Sequence, residues 1–307
     1  PHQSTPDSTV PTTTTTTTAT PPTTAEKTYR ILCGDTVVTL PQREFLIRTL
    51  AMEMPALYHE EALKAQAVAA YTYYTRRREQ QAAKADPALQ GADFVTPHSS
   101  FPQDYTEEKL RERWGDQYDT YYQKICTAVD AVAGQVITYD GQLIDACFHA
   151  VSNGTTEDAA AVWGASVPYL QAVESPGEEQ ARVYESSVSV PLDEFVQKLQ
   201  NENPAANCSG PPAGWFGSVE RTEGGGVGTM QIGGVSFSGT QLRNVFGLKS
   251  TNFSVSVTQE GIEFSVNGYG HRVGMSQYGA NAMAKAGKTY QDILEHYYTG
   301  VNIKKHP

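Results

Sequence analysis

The sequence predicts an α+β fold in which a central buried helix and C-terminal helices pack with antiparallel β-sheet, as a single domain behind a disordered stalk. Three observations lead there. The stretch from Glu60 to about Gln81 contains no Gly or Pro, and its centre, Ala62 to Ala70, is small-sided almost all round. Such a helix is approached closely on several sides and belongs in the interior. The middle of the chain alternates apolar and polar residues between Gly-containing turns, as antiparallel strands do. Two helical patterns, Met275–Ala286 and Thr289–Tyr298, close the chain.

The elements follow in order. Residues 1–27 are nearly all Thr, Pro and Ser, with Thr12 to Thr18 unbroken. Such a segment buries too little apolar area to offset its ordering entropy, so a disordered stalk is expected, and the domain spans 28–307. Tyr29–Leu40 reads as strand around a Gly34-Asp35 turn. Gln42 to about Met54 has helical spacing through Phe45, Leu46 and Leu50, and Pro55 ends it. The buried helix comes next, with the cationic run Arg76-Arg77-Arg78 at its tail, a solvated end favoured by the helix dipole. Ala85–Gln103 is loop-like. A helical stretch covers Glu107 to about Ala131. Asp140-Gly141 then joins Gln135–Tyr139 to Leu143–Ala150 as a hairpin. Ala181–Val190 and a Gly-rich meander over 217–239 are further strands, and Phe253–Val257 pairs with Ile262–Val266. Thr289 and Asp292 stand at capping-box spacing before the last helix.

Composition narrows the function. The 307 residues are 39% hydrophobic, with 34 acidic side chains against 23 Lys and Arg. A net charge of −11 argues against nucleic-acid or anionic-membrane binding, which needs clustered cations. No apolar run approaches the roughly 18 residues of a membrane span. The sequence begins at Pro1 rather than Met, which leaves room for a membrane tether upstream. Four scattered cysteines (Cys33, Cys126, Cys147, Cys208) lack the paired spacing of structural zinc. They allow three disulfide connectivities, with free buried thiols favoured by their general burial preference.

Three segments could carry chemistry. Glu53, in Ala51-Met52-Glu53-Met54-Pro55, is a carboxylate among apolar neighbours at a helix end. Desolvation raises such a pKa toward values useful to a general acid, whereas a helix-terminal Glu in water would do nothing. Gly268 to Gly279 interleaves glycines with His271, Arg272, Gln277 and Tyr278 ahead of a helix, as a ligand-binding loop or as a tight turn with a buried His. Cys147 and His149 share one face of a strand, which suits a nucleophile pair, two metal ligands or ordinary core.

Taken together, these segments resemble the stage II sporulation protein D family. The resemblance rests on Glu53-Met54-Pro55 with Glu61 to Ala70, on His271 to Ala280, and on Ile293 to Gly300. Ser152 to Glu157, Val162-Trp163-Gly164, Pro168-Tyr169-Leu170 and Phe246 to Ser250 also match, in the same order. It implies a lytic transglycosylase that cuts the β-1,4 bond between N-acetylmuramic acid and N-acetylglucosamine and leaves 1,6-anhydro ends. The substrate would be peptidoglycan strands stripped of stem peptides by a partner amidase, in forespore engulfment or cell-wall remodelling, outside the cytoplasm. Glu53 would be the catalytic acid and then the base. Lys64, Gln66, Tyr71, His271, Gln277 and Tyr278 would bind substrate, with neither cofactor nor metal. One carboxyl suffices because the muramyl C6 hydroxyl is the nucleophile, whereas ordinary glycosidases need two carboxylates. Tyr71 departs from the pattern, standing where the family has Arg, which removes a fixed charge. The zinc-binding segment of some relatives corresponds to Phe101-Pro102-Gln103-Asp104-Tyr105 here and has no cysteine. The alternative, from relatives that enhance amidases, is a non-catalytic glycan-binding regulator.

Overall fold

The computed structural model describes residues 27–306 except 97, 99, 153 and 179–184. The expected stalk therefore lies, but for its last residue, outside the described residues. The fold is α+β, as the sequence predicts.

A hairpin opens it, with β1 (Thr28–Cys33) antiparallel to β2 (Thr36–Pro41) around Gly34. Helix α1 (Gln42–Glu53) follows directly and ends at Met54, whose extended backbone obeys the constraint from Pro55. Helix α2 (Glu60–Ala83) starts at His59, whose ring accepts a hydrogen bond from Glu61 N. The loop expected over 85–103 contains one short strand, β3 (Phe94–Val95), parallel to β1. Two residues give no readable alternation, but Phe94 earns its place in a buried aromatic cluster, 4.7 Å from Tyr74 and 5.3 Å from Tyr29 between ring centroids.

The helical stretch expected over Glu107–Ala131 is two helices, α3 (Glu107–Trp114) and α4 (Tyr118–Ala131), broken at Gly115 with φ +49°. Strands β4 (Gln135–Tyr139) and β5 (Gln142–Leu143) form the expected hairpin, with Asp140 and Gly141 both at positive φ. The rest of the expected Leu143–Ala150 strand is only β6 (Phe148–His149), followed by the one-turn helix α5 (Ala159–Trp163).

A second layer comes next: β7 (Glu185–Val190), α6 (Leu192–Glu202), β8 (Phe216–Arg221), β9 (Val227–Ile232), β10 (Val235–Ser238), α7 (Gly239–Phe246), β11 (Asn252–Val257) and β12 (Ile262–Asn267). The meander pairs as β10-β9-β8 and the later hairpin as β11-β12-β7, all antiparallel. The chain then returns through β13 (Met275–Ser276), parallel to β6, to α8 (Gln277–Lys285) and α9 (Tyr290–Tyr297). The expected Thr289–Asp292 capping box is present on α9. Strand β14 (Asn302–Lys305) finishes against β4.

Two hydrophobic cores result. One surrounds α2, which packs against α1, α4, α8, α9 and β4; the other fills the 185–267 layer around Phe195, Phe246 and Phe264. A buried ion pair joins them. Arg272, fully buried and at φ +64°, donates to Glu157 Oε1 (3.1 Å), Ser152 O (2.9 Å), Thr155 O (3.0 Å) and Gly224 O. Glu157 Oε1 also accepts from Thr222 Oγ1 (2.9 Å) and Gly226 N (3.1 Å) of the β8–β9 turn. A Cβ at Gly224 would lie 2.7 Å from the Glu157 carboxyl carbon, so only glycine lets that turn close over the pair. Arg272→Met should therefore destabilise the protein by ~3–5 kcal/mol in chemical denaturation, because Glu157 is left buried without its cation. Adding Glu157→Gln to that variant should recover part of the loss.

Candidate active site

Glu53 occupies the last position of α1, where the turn at Met54 aims its carboxyl across the C-terminal half of α2. It lines a cleft of 430 Å³ with Tyr73, Tyr74 and Arg77 of α2 on one side. Asp145, Cys147 and Phe148 of the β5–β6 segment, Trp163 at the end of α5, and His271 complete the wall. Spacings of three and four residues place Tyr73, Tyr74 and Arg77 on one side of the helix.

The carboxyl of Glu53 has its pKa raised, because burial disfavours the charged form. Two weaker influences oppose this: a hydrogen bond from Gln277 Nε2 (3.2 Å) and the charge of His98. Gln277 opens α8 and its Nε2 also reaches Gln66 Oε1 at 3.4 Å. Gln66 is 0% exposed, so it meets Gln277 and has no access to the cleft. A relay of two glutamines thus holds the carboxyl from behind. Tyr74, beside Glu53, is kept protonated by burial and by the Glu53 charge.

Arg77 lies with its guanidinium carbon 4.2 Å from the Tyr73 ring centroid and its Nη2 4.0 Å from Asp145 Oδ1. Asp145 Oδ1 is otherwise buried with no hydrogen-bond partner among the described residues, while Asp145 N donates to Tyr169 Oη (3.0 Å). Cys147 is held as a thiol, its pKa pushed up to about 12 by burial and by Asp145, so it is a poor nucleophile. His271 is neutral at ordinary pH: burial, then the Arg243 charge, bring its pKa down to about 4. Its Nδ1 accepts from Val273 N (3.1 Å), which leaves the proton on Nε2. His149 is buried behind it, with ring centroids 5.9 Å apart, and is also neutral. Trp163, 48% exposed, tilts over His271 at 5.5 Å and offers the cleft an open aromatic face.

Of the residues expected to bind substrate, only His271 lines the cleft with Glu53, and Gln277 touches Glu53 from the side. Lys64 is elsewhere. It pairs with Glu61 (2.6 Å), whose other oxygen accepts from Tyr290 N (2.7 Å), and so ties α2 to the start of α9. Tyr71 is 6% exposed and packs edge-on to His306, with centroids 6.3 Å apart. Lys64 and Tyr71 share a helix face that points nearly opposite to Tyr73. Tyr278 is half-buried and forms no part of the cleft wall. The sequence reading missed Tyr74, Arg77 and Asp145 as site residues. Arg77 was hidden inside a run that reads as a solvated helix end; its three- and four-residue spacing from Tyr74 and Tyr73 was the available signal. All four cysteines are free, and no group of three or more His, Cys, Asp or Glu among the described residues could hold a metal ion.

Comparison with known proteins agrees with the resemblance seen in the sequence. The family model described as stage II sporulation protein matches residues 34–139. The chain is 36% identical over 272 residues to stage II sporulation protein D of Bacillus subtilis, covering 89% of this chain and 77% of that protein. It is 35% identical to the Bacillus amyloliquefaciens protein of the same name, over 88% of this chain and 76% of that one. An amidase enhancer of Bacillus subtilis is 28% identical over 82% of this chain but only 39% of its own length. Placed on the fold, these similarities run from the first core through the inserted layer and back, and the chain belongs to the stage II sporulation protein D family.

Proposed function

We propose that the protein is a lytic transglycosylase of the bacterial cell wall, acting outside the cytoplasm in sporulation. The observation that carries this reading is Glu53: a desolvated carboxyl at the edge of an aromatic-lined cleft, with its pKa raised toward the working range of a general acid. The substrate is a peptidoglycan strand stripped of stem peptides, which places a cell-wall amidase ahead of it.

Protonated Glu53 donates to the glycosidic oxygen as the bond from muramyl C1 breaks and oxocarbenium-like charge develops. The muramyl C6 hydroxyl closes on C1, and the Glu53 carboxylate takes its proton. No water is consumed, and Glu53 ends protonated for the next turnover. Burial favours the acid at the start, while the hydrogen bond from Gln277 supports the carboxylate formed midway. Trp163 and Tyr73 offer aromatic faces to pyranose rings, and neutral His271 can serve a sugar hydroxyl without adding charge.

A second reading, glycan binding that modulates an amidase, is favoured by the relative named amidase enhancer. Mass spectrometry of amidase-stripped peptidoglycan separates the two. Wild-type protein should release fragments with anhydro ends, and Glu53→Ala should lower release at least about 100-fold. Reducing ends would make water the nucleophile and call for a second carboxylate, which in this cleft is Asp145. Absence of fragments from folded protein would favour the regulator.

The same carboxyl makes a stability prediction. A group whose folded pKa exceeds its unfolded value contributes stability below the unfolded pKa, about 4.3 for Glu, and loses it as pH rises through the folded value. Glu53→Gln should therefore raise the melting temperature at pH 7, and the gain should vanish on acidification below pH ~4.

A further inference from the structure

The 430 Å³ cleft has a neighbour. A second cavity, of 580 Å³, lies further along α2, and Arg77 is a wall of both. Both are the size of small-ligand sites. Past Arg77 the second cavity is lined by Gln80 and Gln81 of α2 and by Lys84 at its C-terminal cap, then by Asp86 and Leu89 of the following turn and by Val95 of β3.

The walls of this cavity are built. Gln81 Oε1 accepts from Asp86 N (2.9 Å), and its Nε2 donates to Asp86 O (3.3 Å), which folds the turn back on the helix. Asp93 closes the far side, its Oδ2 accepting from Arg30 N (2.8 Å) and its N donating to Arg30 O (2.7 Å). Within that frame Gln80 and Lys84 are exposed, and among the described residues no hydrogen bond or ion pair engages their side chains. Val95 is 56% exposed on the sheet edge and adds an apolar rim.

This combination suits a sugar. A pyranose offers hydroxyl and acetamido groups to amide and ammonium donors, and a C–H face to an aliphatic rim. The cation Lys84 also suits the lactyl carboxylate that a muramyl unit bears once its peptide is removed. From Tyr73 to Lys84 the helix advances about 16 Å at 1.5 Å per residue, room for more than one pyranose ring laid along it.

We propose that the second cavity is an extended glycan subsite: the strand held at Glu53 continues past Arg77 and binds against Gln80, Lys84 and Val95. The proposal rests on the cleft being a glycan site, and its test reads binding apart from catalysis. Calorimetry on Glu53→Gln protein would use peptide-stripped muramyl glycans, a tetrasaccharide and an octasaccharide. The octasaccharide should bind about tenfold tighter, as expected when two to three further hydrogen bonds form. Adding Gln80→Ala and Lys84→Ala should remove that advantage and leave tetrasaccharide affinity unchanged. Val95→Trp, a filling substitution at an exposed edge, should do the same. An advantage that survives these changes, or an equal loss at both lengths, overturns the subsite. Tetrasaccharide binding with no length advantage overturns the subsite alone, whereas failure of either glycan to bind overturns the glycan reading of the cleft as well.

Discussion

Close approach to α2 is the constraint on which the site depends. Ala62, Ala65, Ala67, Ala69 and Ala70 are buried, and their small side chains let α1, α4, α8 and α9 come near on different sides. Packing at interior density makes such contacts intolerant of added volume. Because α1 and α8 are both held against this helix, Glu53 at the end of one meets Gln277 at the start of the other. Gln66 lies beneath both on α2 itself. The Glu53 carboxyl is thus placed by α1, α2 and the sequence-distant α8, and its geometry is a property of the core.

The inserted layer is coupled to that core at one buried ion pair. A pair inside protein gains little net stability over apolar replacements, yet removing one partner is costly because the other charge stays buried. The Arg272 guanidinium donates to three carbonyls as well as to Glu157 Oε1, whereas Glu157 Oε2 is buried with no hydrogen-bond partner among the described residues. The next residue toward the N-terminus is His271, so the clasp also aims the ring that lines the cleft. Glu178 reinforces the region by accepting from Ser152 N (3.1 Å), Ser152 Oγ (2.7 Å) and Gly154 N (2.7 Å). The left-handed backbone at Arg272 costs energy that these bonds offset.

Much of this was legible in the sequence, for reasons that differ by element. The ends of α1, the course of α2, the Asp140-Gly141 turn and the Thr289 capping box are local signals, each with a physical cause within a few residues. Helices α6 and α7 and strands β3 and β14 went unread, because they are short or are fixed by partners distant in sequence: β14 exists as a strand through its pairing with β4. Glu53 was legible as a candidate because apolar neighbours and Pro55 flank it. The side chains around it were harder to read, since helical periodicity tells which residues share a face but not what that face meets. Lys64 and Tyr71 share one face of α2, and that face turns away from the cleft.

That geometry changes the meaning of Tyr71. Where the family pattern has an arginine, this chain carries a phenol, and from sequence the substitution looks like the loss of a fixed charge at the site. In the fold, Tyr71 is packed against His306 in a place where a guanidinium would have to be buried. The fixed positive charge of the cleft is supplied by Arg77, on the face of α2 that Glu53 overlooks. It rests on Tyr73, faces Asp145 and borders the second cavity, so it can meet a strand on either side. A guanidinium stacked on an aromatic ring is partly desolvated and preorganised, which strengthens its hydrogen bonds to hydroxyl and carboxylate oxygens. With no charge at position 71, the cleft still has its cation in Arg77.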